Sequence, residues 1–198
     1  MKSIFTLLAA TAVIISCSGN DDISENPKPT EKTIYNFEYK NYSVKTVILF
    51  KGPVANPSYP GESYLATYWD TYQEPTWKKI SIDTKNNSLK LISGTSADAA
   101  YTIKTSKDSV FIVRNNEAEY IGMFNKAEAS FTLKRAFKYV KKVPRNDSPA
   151  LSISSNTIFG TFQYTTIFGF SAFNTPSEMT EPGDEVLWGN IEYGYHSL

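Results

Sequence analysis

The feature that most limits what this chain can become is alternation of apolar and polar residues with a period of two. It recurs along most of the length and is broken every ~8–12 residues by turn formers. Tyr35, Phe37 and Tyr39 alternate with Asn36, Glu38 and Lys40, and Val44 to Phe50 is a second, β-branched run. Gly52 to Gly61 holds Pro53, Pro57 and Pro60 and is predicted to be a loop. Ser63 to Tyr72 resumes alternation, with Tyr64, Ala66, Tyr68, Asp70 and Tyr72 on one side and Leu65, Thr67, Trp69 and Thr71 on the other; this predicts a strand. Ile80 and Ile82 lead through 84–88 into Leu89 and Leu91. Tyr101 and Ile103 lead through 106–108 into Val110 and Ile112, and Tyr120 to Phe124 turns into Phe131 and Leu133. Phe131 to Val143 fits period two through Phe131, Leu133, Phe137, Tyr139 and Val143, so a long strand is expected there. Thr-Ile-Phe-Gly occurs at 157–160 and again at 166–169, so Ile158 to Phe173 reads as two strands or one kinked at its glycines. A last strand runs from about Glu185 to Tyr193. The prediction is an all-β domain: an antiparallel meander closed as a sandwich or a barrel, with helix below about 15%, well under the ~30–35% usual in globular proteins.

The N-terminal residues follow a different logic. Met1-Lys2-Ser3 is a short cationic start, followed by apolar and small residues from Ile4 to Ile15, then Ser16-Cys17. At a rise of ~1.5 Å per residue this run spans about 18 Å, short of the ~30 Å hydrocarbon core, and suits a secretory signal better than a permanent span. Ile14-Ile15-Ser16-Cys17 resembles the lipobox of bacterial lipoproteins, with Ile in place of Leu at the first position. The resemblance implies cleavage after residue 16 and lipidation of Cys17, and therefore partnership with a membrane. Ser18-Gly19-Asn20-Asp21-Asp22 is similar to the acidic stretch after that Cys in Bacteroidota surface lipoproteins, which implies the outer membrane and its outward face. Residues 18–32 carry a single apolar residue and no aromatic, so they read as a disordered tether with a reach of roughly 20 Å. The expected organisation is a signal peptide at 1–16, a lipidated Cys and tether at 17–32, and one all-β domain at 33–198. In strand rhythm the meander resembles the lipocalin-like barrels of secreted bacterial lipoproteins, although that family's Gly-x-Trp near the first strand is missing.

Cysteine and histidine counts remove whole classes of chemistry. Cys17 is the only Cys and His196 the only His, the latter in a C-terminal segment expected to fray. A mature domain of this kind has no disulfide, no thiol nucleophile and no His- or Cys-ligated metal, and no cofactor motif is present. Net charge is zero, yet Lys78 to Arg145 holds fourteen Lys or Arg against six acids, while Asn146 to Leu198 holds six acids and no Lys or Arg. A uniformly basic nucleic-acid surface is excluded. Two attracting strands, or two faces of one fold, are predicted instead.

The remaining candidates are carboxylates, a basic run and aromatics. Asp70 among Tyr64, Tyr68 and Tyr72 is the best start for a carboxylate hydrolase, but glycoside hydrolysis needs a pair. Glu178, Glu181, Asp184 and Glu185 lie in a Pro/Gly loop with no cation nearby in sequence; they read as a solvated acidic loop or, less simply, a Ca²⁺ site. Lys134, Arg135, Lys138, Lys141, Lys142 and Arg145, interleaved with Phe137, Tyr139 and Val140, read as lysines guarding a sheet edge, or as a contact for an anionic glycan or lipid headgroup. Asp108-Ser109-Val110 resembles the O-glycosylation sequon of exported Bacteroidota proteins, which implies Ser109 as an acceptor. The aromatics are the most informative: Tyr59, Tyr64, Tyr68, Trp69, Tyr72 and Trp77 fall between 59 and 77, in a chain of thirteen Tyr and three Trp. Flat faces with polar edges suit sugar C–H groups or a protein partner. The expectation is a non-catalytic surface module that binds a glycan or other small ligand through Tyr64, Tyr68, Trp69 and Tyr72. The alternative is an accessory subunit of an outer-membrane assembly, with those rings buried against a partner protein.

Overall fold

The computed structural model of the chain describes residues 32–54, 56–146, 149–157 and 172–198, with the backbone alone for 153–157. The expected signal, Cys17 and nearly all of the tether, and most of the 158–173 segment, lie outside these residues.

The described chain is all-β, with eight antiparallel strands closed into a barrel and one extra strand. The strands are β1 (Ile34–Lys51), β2 (Lys79–Asp83), β3 (Ser88–Ile92), β4 (Ala99–Ser106), β5 (Ser109–Arg114), β6 (Glu117–Asn125), β7 (Ser130–Lys142), β8 (Leu151–Thr157) and β9 (Glu185–Ser197). Each of β1 to β6 pairs with the next, β6 pairs with β7, β7 with β9, and β9 closes the ring on β1. β8, which the sequence reading did not anticipate, extends the sheet from β7.

Turn chemistry explains the meander. Asn115 and Asn116 both take left-handed backbone (φ 48° and 66°) and form a two-residue link between β5 and β6, the geometry that matches strand twist. Asp83 accepts the N–H groups of Lys85 and Asn86 at 2.9 and 3.1 Å, which folds the β2–β3 turn and holds its carboxyl below the usual range. The two runs read near 35–40 and 44–50 are one strand, β1. It continues through irregularities at Tyr39/Asn41 and Val44/Thr46 that bend it around the barrel.

Closure depends on a split edge of β7. Ser130 to Leu133 pair with β6, while Ala136 to Lys142 pair with β8 on the same edge. Gly122 sits directly against the Thr132 carbonyl, where a side chain has no room. β7 therefore lies inside the sheet, and the reading of its lysines as edge guards is corrected. Lys134 serves charge pairing instead. Glu192 of β9 meets Lys134 of β7 at 3.7 Å and Lys45 of β1 at 3.0 Å. The segregated charges are thus β9 acids lying between two basic strands. His196 is likewise no frayed end, being paired in register with Glu38 and Ser130.

The largest correction concerns 63–72. Glu62–Tyr68 is a helix, α1, followed by turns, and no strand. Leu65 and Trp69, four residues apart, both face the core, whereas alternation assigned them to one side of a strand. Gly189 of β9 makes this docking close, since a Cβ there would come within 2.9 Å of the Leu65 side chain. The barrel core holds Phe37, Ile82, Leu91, Ile112, Phe131, Leu133 and Ile191, among others, all nearly or fully buried. Its core tyrosines satisfy their hydroxyls outward. Tyr193 donates to the Tyr72 carbonyl at 2.5 Å and Tyr195 to the Trp77 carbonyl at 2.8 Å, tying the 69–78 segment across the barrel end. Burial pushes the Tyr193 phenol up to about 12, against the opposing pull of Arg135.

Candidate functional site

The strands β1, β9 and β7 lie side by side, and α1 brings Tyr64 and Tyr68 against them. Glu185 opens β9 between two register partners, Lys51 of β1 and Lys141 of β7. Its carboxylate accepts a hydrogen bond from the Tyr68 hydroxyl at 2.7 Å and pairs with Lys51 Nζ at 3.4 Å. Tyr68 also shares a 3.4 Å hydroxyl contact with Tyr64, whose ring lies 5.3 Å from the Lys51 ammonium. Tyr68 packs on Tyr139 with centroids 4.4 Å apart at 36°. Burial first, then the hydrogen bonds to Tyr64 and Glu185, push the Tyr68 phenol well above its usual range, so it stays a donor. Tyr64, Tyr68 and Tyr139 are all half-buried, each leaving part of its ring to solvent.

Beside Tyr139 the end of β7 opens into a groove of about 320 Å³, walled by Lys141, Lys142 and Val143 on one side and Leu151 and Ser152 of β8 on the other. Lys141 and Lys142 are both half-buried.

The four aromatics proposed from sequence separate. Trp69 and Tyr72 belong to the core, with Trp69 stacked on Phe137 at 5.2 Å and Tyr72 donating to Glu62 at 2.6 Å. Only Tyr64 and Tyr68 reach the surface face. The carboxylates also disperse. Asp70 is exposed on a turn and makes no hydrogen bond among the described residues. Glu178 turns onto Asn174, whose N–H and amide hold it below the usual carboxylate range. Asp184 is fully buried on Arg145 at 2.6 Å, so the loop described as lacking a cation has one, contributed by the end of the β7 segment. Among the described residues no three Asp, Glu, His or Cys side chains converge as a metal cage. Ser109 begins β5, half-buried, next to the two-residue turn at 107–108. Lys51 escaped the sequence reading, while Tyr139, Lys141 and Lys142 stood there only as parts of a basic run and Glu185 as part of an acidic loop. Their signal is the register of three strands far apart in the chain. Compared with known protein families, with curated proteins and with solved structures, the chain matches none.

Proposed function

We propose that this chain is the precursor of a lipid-anchored outer-membrane protein whose barrel binds saccharide, without catalysis, on the face formed by Tyr64, Tyr68 and Tyr139. The observation that carries the binding half is the set of half-exposed rings around a hydrogen-bonded carboxylate and ammonium. Ring faces stack on sugar C–H groups while Glu185, already held by the Tyr68 hydroxyl, accepts from sugar hydroxyls and Lys51 donates to them. The anchor half rests on the likeness of Ile14-Ile15-Ser16-Cys17 to a lipobox, and the eight-stranded barrel is loosely consistent with a lipocalin-like one. A protein-partner reading would rest on Val54 and Tyr59, exposed by 72% and 71% on the 52–60 loop, a smaller and unconnected pair of side chains.

Two measurements test this. Alanine at Tyr64 is expected to weaken binding on a glycan array by about 1–3 kcal/mol, as a contact anchor does, while the melting temperature moves little. A wild-type chain that binds no glycan on the array would remove the binding half. For the anchor, Cys17→Ser is expected to abolish incorporation of labelled fatty acid and to leave the signal uncut. Unchanged labelling in that variant would end the anchor half.

A further inference from the structure

We infer that the ligand is an oligosaccharide laid across α1, held on the far side of the helix by a second subsite of Tyr42, Glu62 and Gln73; this rests on the saccharide reading above. The two sides of α1 are built alike. On one, Glu185 is held by the Tyr68 hydroxyl. On the other, Glu62 Oε1 accepts from two phenols, Tyr42 at 2.9 Å and Tyr72 at 2.6 Å, and Gln73 Nε2 donates to the Tyr72 hydroxyl at 2.8 Å. The bond to Glu62, before any other cause, lifts the Tyr42 phenol above its usual range, so it stays protonated and donating. The rings of Tyr42 and Tyr72 meet edge-on at 5.6 Å and 88°. Tyr72 is buried and Tyr42 half-buried, while Glu62 and Gln73 are exposed.

Tying α1 to β1 occupies one oxygen of Glu62. The other, Oε2, has no bond among the described residues, and Glu62 makes no ion pair there. Outside those residues the chain's only cations are Lys2 and Lys28. Glu62 therefore presents an open acceptor whose orientation the two phenols fix, and Gln73 keeps its amide oxygen and second N–H for a ligand. Fixed acceptors and a donor beside an aromatic ring suit sugar hydroxyls and C–H faces, with little left to order on binding. At ~3.6 residues per turn, Glu62 and Tyr64 fall on either side of the buried Leu65 and Trp69, which dock α1 on the sheet. The outward ridge between them carries Ser63, Ala66 and Thr67, small side chains that make it low. Glu62 and Tyr68 are separated by about 9 Å of helix rise, and the helix body parts their side chains further. One sugar ring cannot reach both carboxylates, whereas a chain of several can pass over the ridge.

The test titrates the purified full chain, in neutral detergent, with matched di- and hexasaccharides of β-1,4-linked glucose, mannose, galactose and xylose. Among the sugars that bind, the hexamer is expected to bind at least about tenfold more tightly than its disaccharide, the gain from engaging a second subsite with the same ligand. Glu62→Ala and Tyr42→Ala should each bring the hexamer down to the affinity of the disaccharide. The disaccharide itself, held at Tyr64, Tyr68 and Tyr139, should bind both variants as it binds wild type, which also reports that α1 is still seated. Equal affinity for both lengths of every sugar that binds overturns the inference and leaves the saccharide reading standing. So does a hexamer advantage that survives in Glu62→Ala. Loss of both lengths together in the two variants overturns it as well, because Glu62 and Tyr42 then only hold α1 in place. If no sugar of either length binds wild type, the inference and the saccharide reading fall together.

Discussion

Replacing Asp184 with alanine is expected to lower the unfolding free energy by about 3–5 kcal/mol, the range for removing one partner of a buried ion pair. Its side chain has no exposed surface, and both oxygens are engaged. One accepts the Val143 N–H at 3.1 Å; the other accepts Arg145 Nη2 at 2.6 Å and the Glu181 N–H at 3.2 Å. The Asp184 carbonyl also receives the Gly52 N–H at 3.0 Å. One residue therefore joins the ends of β1 and β7 to the loop that enters β9. Alanine would leave the Arg145 guanidinium, 17% exposed and packed 5.6 Å over Phe173, with no carboxylate, and two N–H groups without their acceptor. Asp184→Asn keeps the shape and loses the charge, so a smaller loss is expected. Urea unfolding followed by tryptophan fluorescence measures both. A loss below about 1 kcal/mol for the alanine variant would mean that loop water or a neighbouring acid replaces the carboxylate. Because Glu185 is the next residue, the saccharide binding proposed above should weaken along with stability.

Most of the barrel was legible because its signals are local. Period two placed β1 to β7 and β9, and the turn at 84–88 is short-range chemistry. Barrel against sandwich was not legible, because the strand rhythm is the same in both. The choice is made by Gly122 and its neighbours pairing with β7, and by β9 returning to β1. Helix α1 was misread for a specific reason. Tyr64 and Tyr68 are separated by four residues, as are Leu65 and Trp69, a spacing that satisfies a strand face and a helix face equally. With three prolines before it and turns after it, the 62–68 segment has no cap signature to decide. Docking of Leu65 against Gly189 decides it, and that contact spans most of the chain. The site is non-local in the same way. Lys51, Glu185 and Lys141 share a row only through the β1–β9–β7 register, and sequence proximity had grouped Glu185 with acids that point elsewhere. The charge segregation was the one long-range property visible in composition, because it reports a sum over strands and not a particular pairing.

Alanine at Trp69 and alanine at Tyr64 are expected to behave oppositely, and the contrast tests how the aromatic segment is divided between fold and ligand. Trp69 is 6% exposed, stacks on Phe137 at 5.2 Å and 19°, meets Tyr72 edge-on at 6.5 Å, and carries the Arg135 guanidinium 5.0 Å from its ring. Its deletion opens a cavity beneath α1 and removes the face over which the Arg135 charge sits, a loss of about 3–5 kcal/mol for a buried aromatic. Tyr64 is half-buried, and its hydroxyl meets that of Tyr68, itself anchored by Glu185. Its loss should cost under about 2 kcal/mol of stability, within the ordinary range for a single substitution, and should appear mainly in saccharide affinity. Urea unfolding of both variants, with array binding measured below the transition, separates the two roles. If Trp69→Ala unfolds within about 1 kcal/mol of wild type, α1 is not a structural plug and the barrel end is held by the Tyr193 and Tyr195 hydroxyls alone. If Tyr64→Ala loses as much stability as Trp69→Ala, the whole segment belongs to the core and its rings are not held in reserve for a ligand.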